Sequence, residues 1–318
     1  MSSAIELDAA LIGEREAIRE QPVRRLIDEQ PPVLGLGWLR DLPDFRDYTP
    51  EHEEVAPLLG KTAAIEAPRV EEMGGSVDLR PWFSPIENQG TLGSCTANAV
   101  VALVEYFERR AFGRHIDASR LFLYKTTRNL LRWTGDTGAF LRSTIGALTL
   151  FGVPPEAYWP YRIARFDEEP GAFCYSFAQN FQAISYYRLD TPGTSPQTVV
   201  GRIKSNLAAG LPSVFGFTVY SSIEQAAATG DIPFPSDGER VLGGHALVFV
   251  GYDDSREIEN AAPGGETTTG AFLVRNSWGT GWGNAGYGAL PYEYVRTRVA
   301  VDVWSLIKAE WVDTGTFS

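Results

Sequence analysis

The chain has 318 residues, 44% hydrophobic and 21% charged, ordinary values for a soluble globular protein with room for one large or two modest domains. A net charge of −12 and a pI near 4.8 argue against nucleic acid or an anionic membrane as partner. No apolar run of about 18 residues is present to span a bilayer. Two cysteines, Cys95 and Cys174, and three scattered histidines, His52, His115 and His245, give neither a disulfide framework nor a zinc-ligand cluster, so no metal or other cofactor is expected.

The first 74 residues hold 16 acidic and 8 basic side chains, and the remainder 24 and 20, so the negative charge is concentrated in the first quarter. The stretch Met1-Ser2-Ser3-Ala4-Ile5-Glu6 has neither a basic nor an apolar leader region; a cytoplasmic location is expected, in keeping with cysteines that stay reduced. Ile5–Glu20 places Leu7, Leu11 and Ile18 on one helical side, Pro22 interrupts, and Val23–Glu29 predicts a short second helix. Residues 33–50 are rich in Pro, Gly and aromatics and read as an extended stretch lying on another surface. From Glu51 to Gly75 no period stands out, and Gly74-Gly75 reads as a linker. Residues 1–75 are therefore set apart from 76–318, either as an extension of the main domain or as a separable regulatory segment.

Beyond Ser76, helices are expected over Cys95–Phe112, Ala118–Leu131 and Phe140–Phe151. Strands are expected over Gln182–Tyr187, Pro212–Val219, His245–Tyr252, Ala271–Asn276, Tyr287–Leu290 and Val299–Trp304, with one helix near Pro196–Ala209. Helices first and strands later imply two lobes of different class, an α+β chain. The polar, Gly/Thr-rich stretch from Asp253 to Gly270 reads as a hairpin tip, with a part in substrate selection the other option.

Three stretches carry chemistry. In Gln89-Gly90-Thr91-Leu92-Gly93-Ser94-Cys95 the cysteine opens a helix, with Ser94 expected to cap it; unpaired N–H groups and the positive helix end favour a thiolate there. Gln89 offers an amide donor beside the sulfur. Taken alone, such a cysteine is a buried structural residue as readily as a nucleophile. His245 opens a strand after Gly243 and Gly244, and Asn276 closes the next one before Trp278 and Trp282; each singly reads as structural.

In this order, Gln89 six residues before Cys95, then Gly244-His245-Ala246-Leu247, then Arg275-Asn276-Ser277-Trp278-Gly279-Thr280-Gly281-Trp282-Gly283, the chain resembles the papain-like cysteine peptidases, over Ser76 to Trp304. Asp136-Thr137-Gly138 and Trp159-Pro160-Tyr161 agree as well. Thr96 stands where plant and animal members carry tryptophan, which is more like the bacterial branch.

The resemblance implies a two-lobed fold with the site in the cleft between a helical and a β-barrel-like lobe. It implies Cys95 as nucleophile, His245 as base and then acid, Asn276 as the group orienting the imidazole, and Trp278 as its shield. Gln89 and the Cys95 N–H would form the oxyanion hole. Gly138 would line the non-primed side for an extended peptide, and Gly244 would open the cleft where some relatives have a side chain. The expected partner is a peptide or protein substrate, hydrolysed through a thioester. The position of residues 1–75 resembles that of a propeptide, so the segment is expected to act as an intramolecular inhibitor. Trp38 is expected in a subsite, with processing between Pro68 and Gly75. A transpeptidase, a dedicated peptide-maturation enzyme and a catalytically silent binding protein are the alternatives. His52, His115 and Cys174 are assigned no role.

Overall fold

The computed structural model describes residues 35–62, 75–179 and 185–317. The helices expected before Pro31 and the expected processing region over 68–74 lie outside them. The described residues belong to one compact unit, Gly35–Ser318.

Nine strands and eight helices are described. The strands are β1 (Trp38–Leu39), β2 (Ser76–Asp78), β3 (Ala139–Phe140), β4 (Ser185–Arg188), β5 (Ser213–Tyr220), β6 (Val241–Glu259), β7 (Thr267–Arg275), β8 (Tyr287–Pro291) and β9 (Ala300–Ile307). The helices are α1 (Ala56–Leu59), α2 (Cys95–Phe112), α3 (Arg120–Leu131), α4 (Leu141–Phe151), α5 (Ala172–Ala178), α6 (Pro196–Ala208), α7 (Glu293–Arg296) and α8 (Ala309–Val312).

One lobe is built on α2, α3 and α4. Every residue of α2 from Cys95 to Phe107 is buried, so this helix is the lobe's central rod rather than an amphipathic surface helix. It stops at Gly113, whose φ of 72° is the left-handed conformation glycine adopts without strain, and whose N–H bonds the Arg109 carbonyl. Ser119 caps α3 by accepting from the Phe122 N–H at 3.2 Å. Ser195 does the same for α6, with Pro196 in its first turn.

The other lobe is a seven-stranded sheet in the order β4-β9-β5-β6-β7-β8, with β2 also paired to β6. All its pairings are antiparallel. The strongly apolar β9 and the middle of β6 are buried throughout, as central strands require. The stretch 253–270 forms the end of the β6–β7 hairpin, as expected: Glu257, Ile258 and Glu259 pair with Thr269, Thr268 and Thr267, and the turn is anchored by the buried Asn260, which bonds Phe234 and Glu239.

Residues 35–62 run across both lobes as a strap. β1 pairs in parallel with β3 of the helical lobe, Trp38 opposite Ala139. Beyond β1 the buried Asp41 reaches the sheet lobe: its N–H donates to Asp302 Oδ2 at 2.7 Å and its Oδ2 accepts from Trp304 Nε1 at 3.1 Å. Arg142 of α4 holds Asp47, and Arg188 of β4 holds Asp47, Asp190 and Asp302. Val55 and Leu59 then sink into the core.

Candidate active site

The N-terminus of α2, the start of β6 and the end of β7 converge. Cys95 is fully buried at the helix start. Ser94 occupies the capping position but caps nothing with its side chain; its hydroxyl lies 2.6 Å from Tyr161 Oη and 3.0 Å from Asn98 Nδ2. The expected cap is thus replaced by a hydroxyl network below the helix end. Backbone N–H groups of Ala246, Gly37, Thr96 and Cys95 face the sulfur. Ala246 directly follows His245, so the sulfur sits against the start of β6.

His245 is buried, its Nε2 2.9 Å from Asn276 Oδ1. That oxygen also accepts from the Ser277 N–H at 2.7 Å, which fixes the amide with its oxygen toward the ring. An acceptor at Nε2 makes Nε2 the protonated nitrogen of the neutral imidazole, leaving Nδ1, buried and unpartnered among the described residues, as a base. Trp278 stacks on the ring, centroids 4.4 Å apart and planes within 19°, and Trp282 meets Trp278 edge-on. Both tryptophans are buried, as are His245 and Asn276.

Gln89 is fully buried. Ser277 Oγ donates to its Oε1 at 2.5 Å, so the amide NH₂ must face the other way. There it donates to the carbonyls of Leu92 (2.8 Å) and Gly35 (2.9 Å). The amide expected to meet a substrate oxygen therefore meets a carbonyl of the strap. Gly138, at φ 70°, has the strap against it: a Cβ there would lie 2.2 Å from the Gly37 carbonyl oxygen, which accepts from the Ala139 N–H at 2.8 Å.

Burial sets the charge state. It pushes the Cys95 thiol up to about 11 and the His245 imidazole down to about 4, only partly opposed by the N–H groups facing the sulfur and by Asn276. Under the strap both groups are neutral near pH 7, not the ion pair that the helix end alone would favour.

The remaining candidates sort by place. Gly244 adjoins His245 and touches Trp38, so both lie at the site. Cys174 is buried on α5 with its thiol 3.8 Å from the Tyr158 carbonyl, and His52 stacks on Tyr48; neither is drawn into the site. Ser277 and Tyr161 were not singled out as functional residues from sequence, although both fall inside recognised motifs; their signal was a hydroxyl beside a site amide or carbonyl, legible only once folded.

The family model for papain family cysteine proteases matches residues 73–302. The chain belongs to the papain family of cysteine proteases. An uncharacterised peptidase C1-like protein of Acanthamoeba polyphaga mimivirus is 32% identical over 281 residues, 85% of this chain and 86% of that protein. The crystal structure of xylellain, a cysteine protease from Xylella fastidiosa, superposes with a TM-score of 0.70 at 32% identity, covering 89% of this chain and 99% of that one. Germination-specific cysteine protease 1 of Arabidopsis thaliana is 27% identical over 229 residues, 71% of this chain but 53% of that protein. This papain-family chain is thus a cysteine-type peptidase with the two-lobed α+β fold, acting on peptide or protein substrates.

Proposed function

We propose that the chain is an endopeptidase held latent by its own strap, with Cys95 as nucleophile, His245 as proton carrier, Asn276 and Trp278 orienting and shielding the imidazole, and Gln89 with the Cys95 N–H stabilising the oxyanion. The observation that carries the catalytic reading is the Asn276–His245 contact at 2.9 Å, which leaves Nδ1 free while the sulfur faces the next residue's N–H. Once water enters, the desolvation that keeps both groups neutral falls, and a thiolate–imidazolium pair forms at the helix end. The thiolate attacks the peptide carbonyl. The oxyanion takes the Gln89 amide and the Cys95 N–H, and His245 gives its proton to the leaving amine. Water, deprotonated by His245, then hydrolyses the thioester.

Latency rests on what the strap consumes. Gly35 takes the Gln89 amide, Gly37 pairs with the strand beside Gly138, and Trp38 fills the slot by Gly244. Each is a feature a substrate needs. Cleavage between Pro68 and Gly75 would free the strap.

The test is a reducing time course of full-length protein, alongside Cys95→Ala and His245→Ala, reading chain mass and hydrolysis of a mixed fluorogenic peptide set. The expected result is a loss of the N-terminal segment, with activity rising in step, in wild type alone. Activity at full chain mass would refute the latent form, and activity in Cys95→Ala the catalytic assignment. Adding a peptide amine acceptor separates hydrolysis from transpeptidation by product mass.

A further inference from the structure

Gln89 is held by more than its own loop. Its N–H donates to the Ser277 carbonyl at 2.8 Å, and Ser277 Oγ donates to its side-chain oxygen. Its own carbonyl accepts from Tyr161 Oη at 3.0 Å. Neither Ser277 nor Tyr161 belongs to the strap, so these holds persist when the strap leaves.

The bond from Tyr161 ends a series whose direction is fixed. Asn98 Nδ2 lies 3.0 Å from the Ser94 carbonyl, which only accepts, and Asn98 Oδ1 lies 3.3 Å from Arg120 Nη1, which only donates. The amide therefore stands one way round. Its NH₂ also reaches Ser94 Oγ at 3.0 Å, so that hydroxyl, already accepting, turns its hydrogen to Tyr161 Oη, 2.6 Å away. Tyr161, accepting there, gives its own hydrogen to the Gln89 carbonyl. Burial pushes the Tyr161 hydroxyl up to about 12, against the pull of Ser94 and Arg120, so it keeps that hydrogen through the neutral range. Hydrogen bonds thus run head to tail from a cation to the loop that carries Gln89.

Arg120, the first residue of α3, is 6% exposed. Its guanidinium carbon lies 4.3 Å from the centre of the Tyr161 ring, Nη1 pairs with Glu87 at 2.8 Å and Nη2 with Glu156 at 3.5 Å. Glu156 accepts from the Tyr161 N–H, and Ser119 Oγ, next to Arg120, donates to the Trp159 carbonyl. The start of α3 thereby grips the stretch 159–161 by main chain and by ring. Arg120 Nε is buried without an acceptor among the described residues. A buried ion pair adds little net stability over apolar packing of the same volume. What the cation adds is a direction for the donors beyond it, each bond polarising the next.

We infer that Arg120 is a positioning residue for the oxyanion hole, acting on Gln89 through Asn98, Ser94 and Tyr161. The inference rests on the reading of Gln89 as the oxyanion donor. Its effect arrives through the Gln89 main chain, which sets where the side-chain amide stands before a carbonyl oxygen gains charge.

The test compares two reagents on Cys95 of reduced full-length protein. p-Nitrophenyl acetate acylates the thiol through a tetrahedral oxyanion: sulfur bonds to the carbonyl carbon, p-nitrophenolate leaves, and the thiol proton passes to His245. Iodoacetamide alkylates the sulfur by direct displacement of iodide, with no oxyanion. Both wait on opening of the strap, so the ratio of their rates, compared with that of wild type, reports the oxyanion hole. Each rate is taken where it is proportional to reagent concentration and is read at Cys95 by peptide mass. Gln89→Ala should lower the ratio by about 10²–10³. Tyr161→Phe, which keeps the ring that Arg120 covers, should lower it about fivefold, as the loss of one hydrogen bond implies. Arg120→Met should lower it about as far. So should Asn98→Asp, which keeps an acceptor for Arg120 but cannot donate to Ser94, and which serves should Arg120→Met not fold. In the Tyr161→Phe background neither should lower it further, because the relay is already cut. An unchanged ratio in Tyr161→Phe, or losses from Arg120→Met and Asn98→Asp that persist in full beside it, overturns the inference. If Gln89→Ala itself leaves the ratio unchanged, the oxyanion reading has failed and the relay with it; if Gln89→Ala lowers it and the relay variants do not, only the relay has failed.

Discussion

Trp38→Ala is the most direct probe of what holds the strap down. Truncating a buried aromatic side chain costs about 3–5 kcal/mol in a packed interior. Part of that returns here, because the indole N–H is buried without an acceptor and leaving such a donor unpaired costs about 1–3 kcal/mol. The net loss of docking energy is therefore about 2 kcal/mol, or about thirty-fold in the docked-to-open ratio. Cys95 is fully buried beneath the strap, so iodoacetamide must wait for an opening, and its labelling rate follows the open population. Cys174, buried on α5 away from the strap, is the internal reference. The expected result is a rise of about thirty-fold in Cys95 labelling, with Cys174 unchanged. Equal rises at both cysteines would mean that the substitution loosens the whole fold, and no rise at Cys95 would mean that the indole does not hold the strap. Either refutes the reasoning.

Three further outcomes follow from the geometry. Burial, and next to it the Asp41 charge, raise Asp302 to about 7, while Asp41 is itself raised by burial; Arg142, Arg188, Asp190 and Trp304 surround the pair. Carboxyls raised in the docked state bind protons on docking, so this contribution is present at low pH and lost as pH climbs through about 7. Relative to Asp302→Asn at each pH, Cys95 labelling in wild type should therefore rise from pH 5 to pH 8; a relative rate that stays flat would exclude the pair. Ser277→Ala removes the hydrogen bond that turns the Gln89 amide toward the Gly35 carbonyl, where the proposed oxyanion would lie. At about 1 kcal/mol it should lower kcat about fivefold with KM little changed, whereas Gln89→Ala should cost about 10²–10³ in kcat. An equal loss in both, or a shift confined to KM, would contradict the positioning role. Arg128 is fully buried and donates to the carbonyls of Gly135 and Phe166 and to Asp167. Arg128→Met should lower the urea unfolding free energy by about 3 kcal/mol, since it strands two carbonyls around the loop that carries Gly138. A loss under 1 kcal/mol would show that water replaces the guanidinium at little cost.

Much of the site could be read from the chain because its chemistry is written in short stretches. Cys95 opens α2 as expected and Asn276 directly follows β7, whereas His245 is the fifth residue of β6, because the strand starts earlier, at Val241. The α2 helix is legible to its last residue because apolar spacing and Gly113 agree. Ser94 was misjudged for a physical reason: a capping hydroxyl and a hydroxyl held by Tyr161 look alike in sequence, and only the loop geometry of 159–161 decides between them. The α5 helix was missed because it spans only seven residues from Ala172 to Ala178 and shows no period long enough to detect. The charge state was beyond reach too, since it follows from the full burial of Cys95 and His245 in the folded protein, to which segments as distant in sequence as Gly37 are brought. Asp41 and Asp302 lie 261 residues apart, and nothing local marks them as partners.

The strap and the cleft it occupies belong to one polypeptide, which has a consequence for how such an enzyme would be handled by a cell. A separate inhibitor protein lets go on dilution, so its target wakes whenever synthesis of the two falls out of balance. A tethered occupant meets its site at a fixed local concentration, on the order of millimolar for a short connection, however few copies of the molecule exist. Silence would then be a property of each single chain from the moment it folds, and a competing peptide would have to outbid that local concentration to enter. Waking the enzyme would call for cutting or unfastening the tether, not for changing its abundance.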